Sequence, residues 1–231
     1  MLKFMPVILM LLYGLAMYRF SVWRTLKTLD ARSRPLTEPG LLQMTRRLAA
    51  ALDLAEIKVH VYDVDPVNGL AAPDGRIFLT RGFLQKYLAG QVTAEEMASV
   101  IAHELGHVAL GHSRRRMIDF TGQNALTMLL SGLLVRLIPV AGLGLMIARA
   151  VTSALAAHLS RSDEHEADAY ASALLVKAGI GTAPQKTLFR KLEAITGNSG
   201  AGAPAWMLSH PSTADRIRAI EAREARWGQP G

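Results

Sequence analysis

The chain has 231 residues, of which 50% are hydrophobic and 19% charged, with a formal net charge of +7 and no cysteine. That length suits one domain with a membrane appendage, and a charged fraction below the roughly 25% of a soluble domain points to apolar surface that faces lipid. The missing cysteine excludes a disulfide framework, a thiolate-held metal and a catalytic thiol. The basic residues follow the first apolar run or form Arg114-Arg115-Arg116 without interleaved aromatics, which argues for anionic lipid head groups and against a nucleic-acid partner.

Phe4 to Tyr18 carries no charge, and the apolar character continues through Phe20, Val22 and Trp23. The run closes on aromatic and basic residues, the signature of a membrane interface rather than of a signal-peptide cleavage site. Residues 1–24 are therefore expected to be a retained transmembrane anchor. Lys3 precedes the span, whereas Arg19, Arg24, Lys27, Arg32 and Arg34 lie in or after its end, so the positive-inside rule puts the following domain in the cytoplasm.

Residues 25–40 read as a linker, because Arg32 to Gly40 holds two prolines and a glycine. The domain proper is expected over residues 41–231. Leu41 to Leu54 has apolar residues at helical spacing. Ile57 to Tyr62 alternates and predicts a strand, Asp63 to Gly75 a loop, Arg76 to Thr80 a second strand, and Gly82 to Leu88 a short helix. Thr93 followed by Glu96 is a capping box that opens the next helix, with Gly111 as its stop. Residues 114–160 are expected to be largely helical, followed by separate helices over Glu164–Ala178, Pro184–Ile195 and Ser212–Trp227. The class is α+β, mainly α, with a small sheet. An apolar stretch at about 120–159, interrupted by Arg136, Pro139 and Arg149, is read as membrane-near, with a pair of core helices as the alternative.

The strongest chemical signal is His103-Glu104-Leu105-Gly106-His107. Residues four apart share a helix face, so the two imidazoles can meet one metal ion, and Glu104 beside the first can take a proton from a zinc-activated water. A catalytic zinc needs a third protein ligand. The pattern with a third histidine close by requires glycine at 110 and histidine at 113. Gly111 and His112 each miss by one, so His112 reads as a polar residue just past the helix end. Downstream, Ser160 to Asp168 offers Glu164, with His165 and Glu166 as competitors. Glu164 and Asp168 lie one turn apart on one face, and Asp168 can fix the tautomer of a ligand histidine.

These residues resemble the HtpX and type I CAAX prenyl protease family of membrane zinc metallopeptidases. Asn68 to Leu84 is similar to the segment N-A-F-A-x-P-G-G that precedes the family's motif helix. Ala102 to His112 is similar to that helix, and Ser160 to Asp168 to S-R-x-x-E-x-x-A-D. His210-Pro211-Ser212 with Arg216 resembles a C-terminal H-P-x-x-x-x-R-I. Gly69-Leu70 and Asp74-Gly75 depart from the first block. The resemblance implies a zincin-like domain holding one zinc through His103, His107 and Glu164, with Glu104 as general base and Asp168 orienting a ligand. It implies His210 as an oxyanion stabiliser, Arg216 as a supporting residue behind the site (a plain helix start is the alternative for both), and a polypeptide substrate lying along Asn68, Ile77, Phe78 and Leu79. The activity implied is endoproteolysis of membrane or misfolded proteins. A catalytically silent membrane scaffold of the same fold, or a zinc hydrolase of small molecules, are the alternatives. The intact Glu104 argues against the first, an edge strand beside the cleft against the second.

Overall fold

The structure, a computed structural model, describes residues 5–112, 142–197 and 213–228, together with 127, 130, 131 and 134. Among these residues the chain forms α1 (Met5–Ala31), β1 (Ser33–Pro35), α2 (Pro39–Ala51), β2 (Val59–Tyr62), β3 (Gly69–Ala71), β4 (Ile77–Thr80), α3 (Arg81–Leu88), α4 (Ala94–Ala109), α5 (Leu143–Lys177), α6 (Ala183–Gly197) and α7 (Thr213–Trp227). His210, the Arg114–Arg116 run and most of 120–141 lie outside the described residues.

The sheet has the order β1-β2-β4-β3, with β2 and β4 parallel and both outer pairs antiparallel. The two strands expected from the sequence are the inner pair. Segments read as linker and loop supply the outer pair, since three residues leave too little alternation to recognise. The stretch 25–40 is accordingly structured: α1 runs on to Ala31, and β1 follows it at once. Side chains alternate across β4, and both of its faces are covered. Ile77 and Leu79 enter the main core, whereas Phe78 packs with Leu29 of α1 and with Ala72. Thr80 closes the strand. Its hydroxyl accepts from the backbone N–H of Phe83, capping α3, and donates to the backbone carbonyl of Asn68 at 3.1 Å, which anchors the start of β3.

The expectation of a helix opening at Thr93 holds in detail. Its hydroxyl accepts from the Glu96 N–H at 3.2 Å, and the Glu96 carboxylate accepts from the Thr93 N–H at 2.8 Å. Lys191 of α6 donates to the same carboxylate at 2.8 Å, so the cap also ties α4 to α6. The helix ends at Ala109, and Gly111 follows with a φ of +68°, the left-handed conformation that glycine adopts without steric cost. Every residue of α4 from Glu96 to His107 is buried, as befits the central element of a helical layer.

The helix expected to begin near Glu164 is instead the second half of α5, which is continuous for 35 residues. No glycine or proline interrupts 145–177, so nothing local breaks it. By length and composition alone α5 is apolar enough to cross a membrane. Its C-terminal end is held by Arg47 of α2, whose guanidinium donates to the carbonyls of Ala178 and Gly179 at 3.1 and 3.0 Å.

The contact between α4 and α5 is very close. A Cβ built on Gly106 would stand 3.0 Å from both Cα and the carbonyl oxygen of Ala167. Backbone atoms cannot rotate aside, so a side chain there must push the helices apart. Gly106→Val is therefore expected to lower the unfolding free energy of the full chain by about 1–3 kcal/mol or more, read from denaturant or thermal unfolding in detergent. Unchanged stability would mean that the two helices do not meet at this point.

Candidate metal centre

Two helices each contribute a pair of residues one turn apart. From α4 come His103 and His107, and from α5 come Glu164 and Asp168; all four are buried. Nε2 of His103 and Nε2 of His107 stand 3.1 Å apart. The Glu164 carboxylate approaches them at 3.3 and 3.4 Å. Three ligand-type atoms thus converge on one point inside the protein. Atoms about 2.0–2.1 Å from a tetrahedral ion such as zinc lie about 3.3–3.4 Å from one another, so this donor set fits one.

The other nitrogen of His103 has its own acceptor. Nδ1 lies 2.9 Å from Oδ1 of Asp168. Arg216 of α7 grips the same carboxylate in a fork, donating from Nε to Oδ2 and from Nη2 to Oδ1, both at 2.7 Å. With Asp168 ionised and doubly held, it can only accept, so a neutral His103 keeps its proton on Nδ1 and turns the lone pair of Nε2 inward. The guanidinium lies 4.0 Å from the ring centre of Phe189 on α6, an apolar floor that keeps its plane fixed. The residues singled out for Glu164, Asp168 and Arg216 are thus brought together, with Arg216 acting on Asp168.

Glu104 is buried beside His103, under the first residue of β3. A Cβ at Gly69 would come within 2.7 Å of Val100 and 3.4 Å of Glu104 Oε1, so only glycine lets this strand approach the motif helix so closely. Ile77, Phe78 and Leu79 are the residues expected along the substrate. They form an inner strand paired on both sides and are fully buried. The strand at the edge of the sheet on this side is β3, and Asn68 stands at its start with its backbone pinned to Thr80.

His112 lies just past the end of α4, as expected. It is wholly buried, with Nδ1 2.9 Å from Nδ1 of His107, and burial holds its pKa below the ordinary histidine value. The competitors of Glu164 do not reach the ligand triangle: Glu166 turns to His112 at 3.3 Å. The sequence signal for His112 was its place after Gly111, whose left-handed turn folds the chain back on the helix end.

Removing the Arg216 charge leaves Asp168 buried without its strongest partner. Arg216→Met is expected to cost about 3–5 kcal/mol of stability, and Arg216→Met with Asp168→Asn to recover much of it, in unfolding measurements. A single variant as stable as the parent would overturn this account of the pair.

Comparison with known proteins agrees with this geometry. Residues 35–224 match the family model described as Peptidase family M48. Metalloprotease LoiP of Escherichia coli is 32% identical over 175 residues, 74% of this chain and 64% of that protein. Human mitochondrial metalloendopeptidase OMA1 is 25% identical over 71% of this chain and 31% of its own length. Protease HtpX of Alkalilimnicola ehrlichii is 27% identical over 92% of this chain and 80% of its own length. The chain thus spans less than two thirds of the first two relatives. With well over half of its residues inside the family match, the chain belongs to peptidase family M48.

Proposed function

We propose that the chain is a membrane-anchored zinc metalloendopeptidase. The observation that carries the proposal is the convergence of His103 Nε2, His107 Nε2 and the Glu164 carboxylate within 3.1–3.4 Å of one another, beside Glu104. In this reading those three side chains hold one zinc. Zinc in that position supplies a Lewis acid that polarises a carbonyl and acidifies water. Glu104 takes the proton from the attacking water and delivers it to the leaving amide nitrogen, so no covalent intermediate forms. Asp168 keeps the His103 lone pair aimed inward, and Arg216 keeps Asp168 ionised. His210 as oxyanion stabiliser is retained on the sequence resemblance.

The substrate is a polypeptide bound in extended form along the edge of β3. That edge lies next to Glu104, and main-chain pairing would hold a peptide there regardless of its sequence. Anchoring is assigned to α1. Leu12, Tyr13, Leu15, Met17 and Phe20 are exposed along it, and Trp23 packs against Phe20, with the Lys27 ammonium 5.1 Å above the indole. An apolar helix that ends in aromatic and basic residues suits a span leaving lipid. The charges after it favour a cytoplasmic catalytic domain with membrane or misfolded proteins as substrates.

Glu104→Gln keeps the volume and the three ligands and removes the base. The variant is expected to bind about one zinc per chain and to lose about 10²–10⁴-fold in cleavage of an unfolded protein such as casein. Cleavage at the parent rate would remove Glu104 from the mechanism, and a parent chain that binds no zinc would remove the whole reading.

A pH dependence follows from His103. In the apoprotein burial pushes it down, but its bonds to Asp168 and Glu164 outweigh burial and raise it to about 9. Its stabilising protonated form is present in full below its ordinary value and is lost as pH rises through about 9. Zinc must displace that proton. Zinc affinity is therefore expected to rise about tenfold per pH unit from about pH 7 and to level off near pH 9. Chelator competition across that range measures it, and an affinity independent of pH is the contrary result.

A further inference from the structure

His107 is flanked by a group that the zinc chemistry above does not use. The turn at Gly111 brings His112 back under the end of α4, where Nδ1 of His112 stands 2.9 Å from Nδ1 of His107. On its far side, Nε2 of His112 lies 3.3 Å from Glu166 Oε2 and 3.7 Å from Asp163 Oδ1. His112 is fully buried and Asp163 nearly so.

A count of protons decides how these rings are arranged. Two imidazole nitrogens 2.9 Å apart share one proton; two facing N–H groups or two facing lone pairs repel. Nε2 of His107 points into the ligand triangle, so as a ligand it carries a lone pair, and a neutral ring must then keep its proton on Nδ1. His112 Nδ1 is left as the acceptor. The proton of His112 therefore sits on Nε2, facing the carboxylates of Glu166 and Asp163, which are placed to receive it.

We infer that His112 is a positioning residue, which fixes the tautomer and ring angle of His107 and couples that ligand to Glu166 and Asp163. The inference rests on the zinc reading above. The two ligand histidines are then held by different chemistries: His103 by an arginine-gripped carboxylate, His107 by a neutral ring backed by carboxylates. Such outer partners raise ligand basicity and restrict ring rotation.

The same count of protons rejects a rival role. His112, Asp163 and Glu166 offer ligand atoms within 4.8 Å of one another and resemble a second metal site. An ion on Nε2 of His112 would force that ring's proton onto Nδ1, against the proton of His107. Both sites cannot be filled while both rings stay neutral. The cluster is a relay attached to one metal centre.

The test uses the full chain in detergent, with zinc itself as the probe. Three measurements are made: ¹⁵N-histidine NMR of the zinc-loaded parent, zinc stoichiometry in excess zinc, and zinc affinity by chelator competition. The parent is expected to carry one zinc per chain and to show His112 protonated on Nε2. His112→Leu, which has no acceptor, should weaken zinc binding about tenfold or more, and His112→Asn, which restores an acceptor oxygen, should bind within about threefold of the parent. A merely space-filling role predicts the reverse order, since leucine fills the buried site better. Nδ1 protonation of His112, a second zinc, or equal affinities in the two variants overturns the inference. The NMR result stands even where a variant fails to fold. A parent that takes up no zinc sinks the underlying reading and this inference with it, whereas zinc uptake with the wrong tautomer sinks this one alone.

Discussion

The closest approach of α4 to α5, at Gly106 and Ala167, is the constraint on which the rest of the site depends. His103 and His107 stand three residues before and one after Gly106. Glu164 and Asp168 stand three before and one after Ala167. On a helix those offsets put both side chains on the flank of the contact residue. Each helix therefore offers one pair to the same side of a single crossing. Small residues at the crossing bring the backbones near enough for short side chains to meet, and a bulkier contact would pull the triangle open.

Converging so many polar groups in a dry interior is costly unless each has a partner. The chain answers with a line of contacts across three helices. Arg216 forks onto Asp168, Asp168 accepts from His103, and His103 faces Glu164 and His107. Phe189 covers the guanidinium. Breaking such a line anywhere leaves a buried charge, so it specifies the packing of α7 and α6 against the site more than it adds net stability.

Local signals made much of this legible. The capping box, the glycine stop and the spacing of the two histidines are short-range features, and a helix displays them without help from the rest of the chain. The choice among Glu164, His165 and Glu166 was different. All three sit in one turn, and only the direction of α4 separates the buried Glu164 from Glu166 facing His112. The edge position of β3 was hidden for a related reason. Strand order is a long-range property, and the substrate placement along Ile77 to Leu79 is what the resemblance implies, whereas pairing on both sides makes that strand an inner one. His112 has no ligand spacing in the sequence, and its contact is with the outer nitrogen of His107.

The length of α5 ties the chemistry to the surroundings of the protein. At 1.5 Å per residue a helix of 35 residues is about 52 Å long. Its second half carries Glu164, Ala167 and Asp168 into the core. Its first half presents Leu143, Leu145, Met146, Ile147 and Val151 outward, and Arg149 is the one charge there before Arg161. None of those exposed side chains is needed to pack the site. Their composition answers to something outside the core of the described residues, and the exposed apolar side of α1 makes the same demand. Because α5 is one unbroken rod, whatever covers its first half fixes the axis along which Glu164 is presented to His103 and His107. The geometry of the His103, His107 and Glu164 triangle is thereby referenced to the apolar surface of α5, which lies between His107 and Glu164 in sequence.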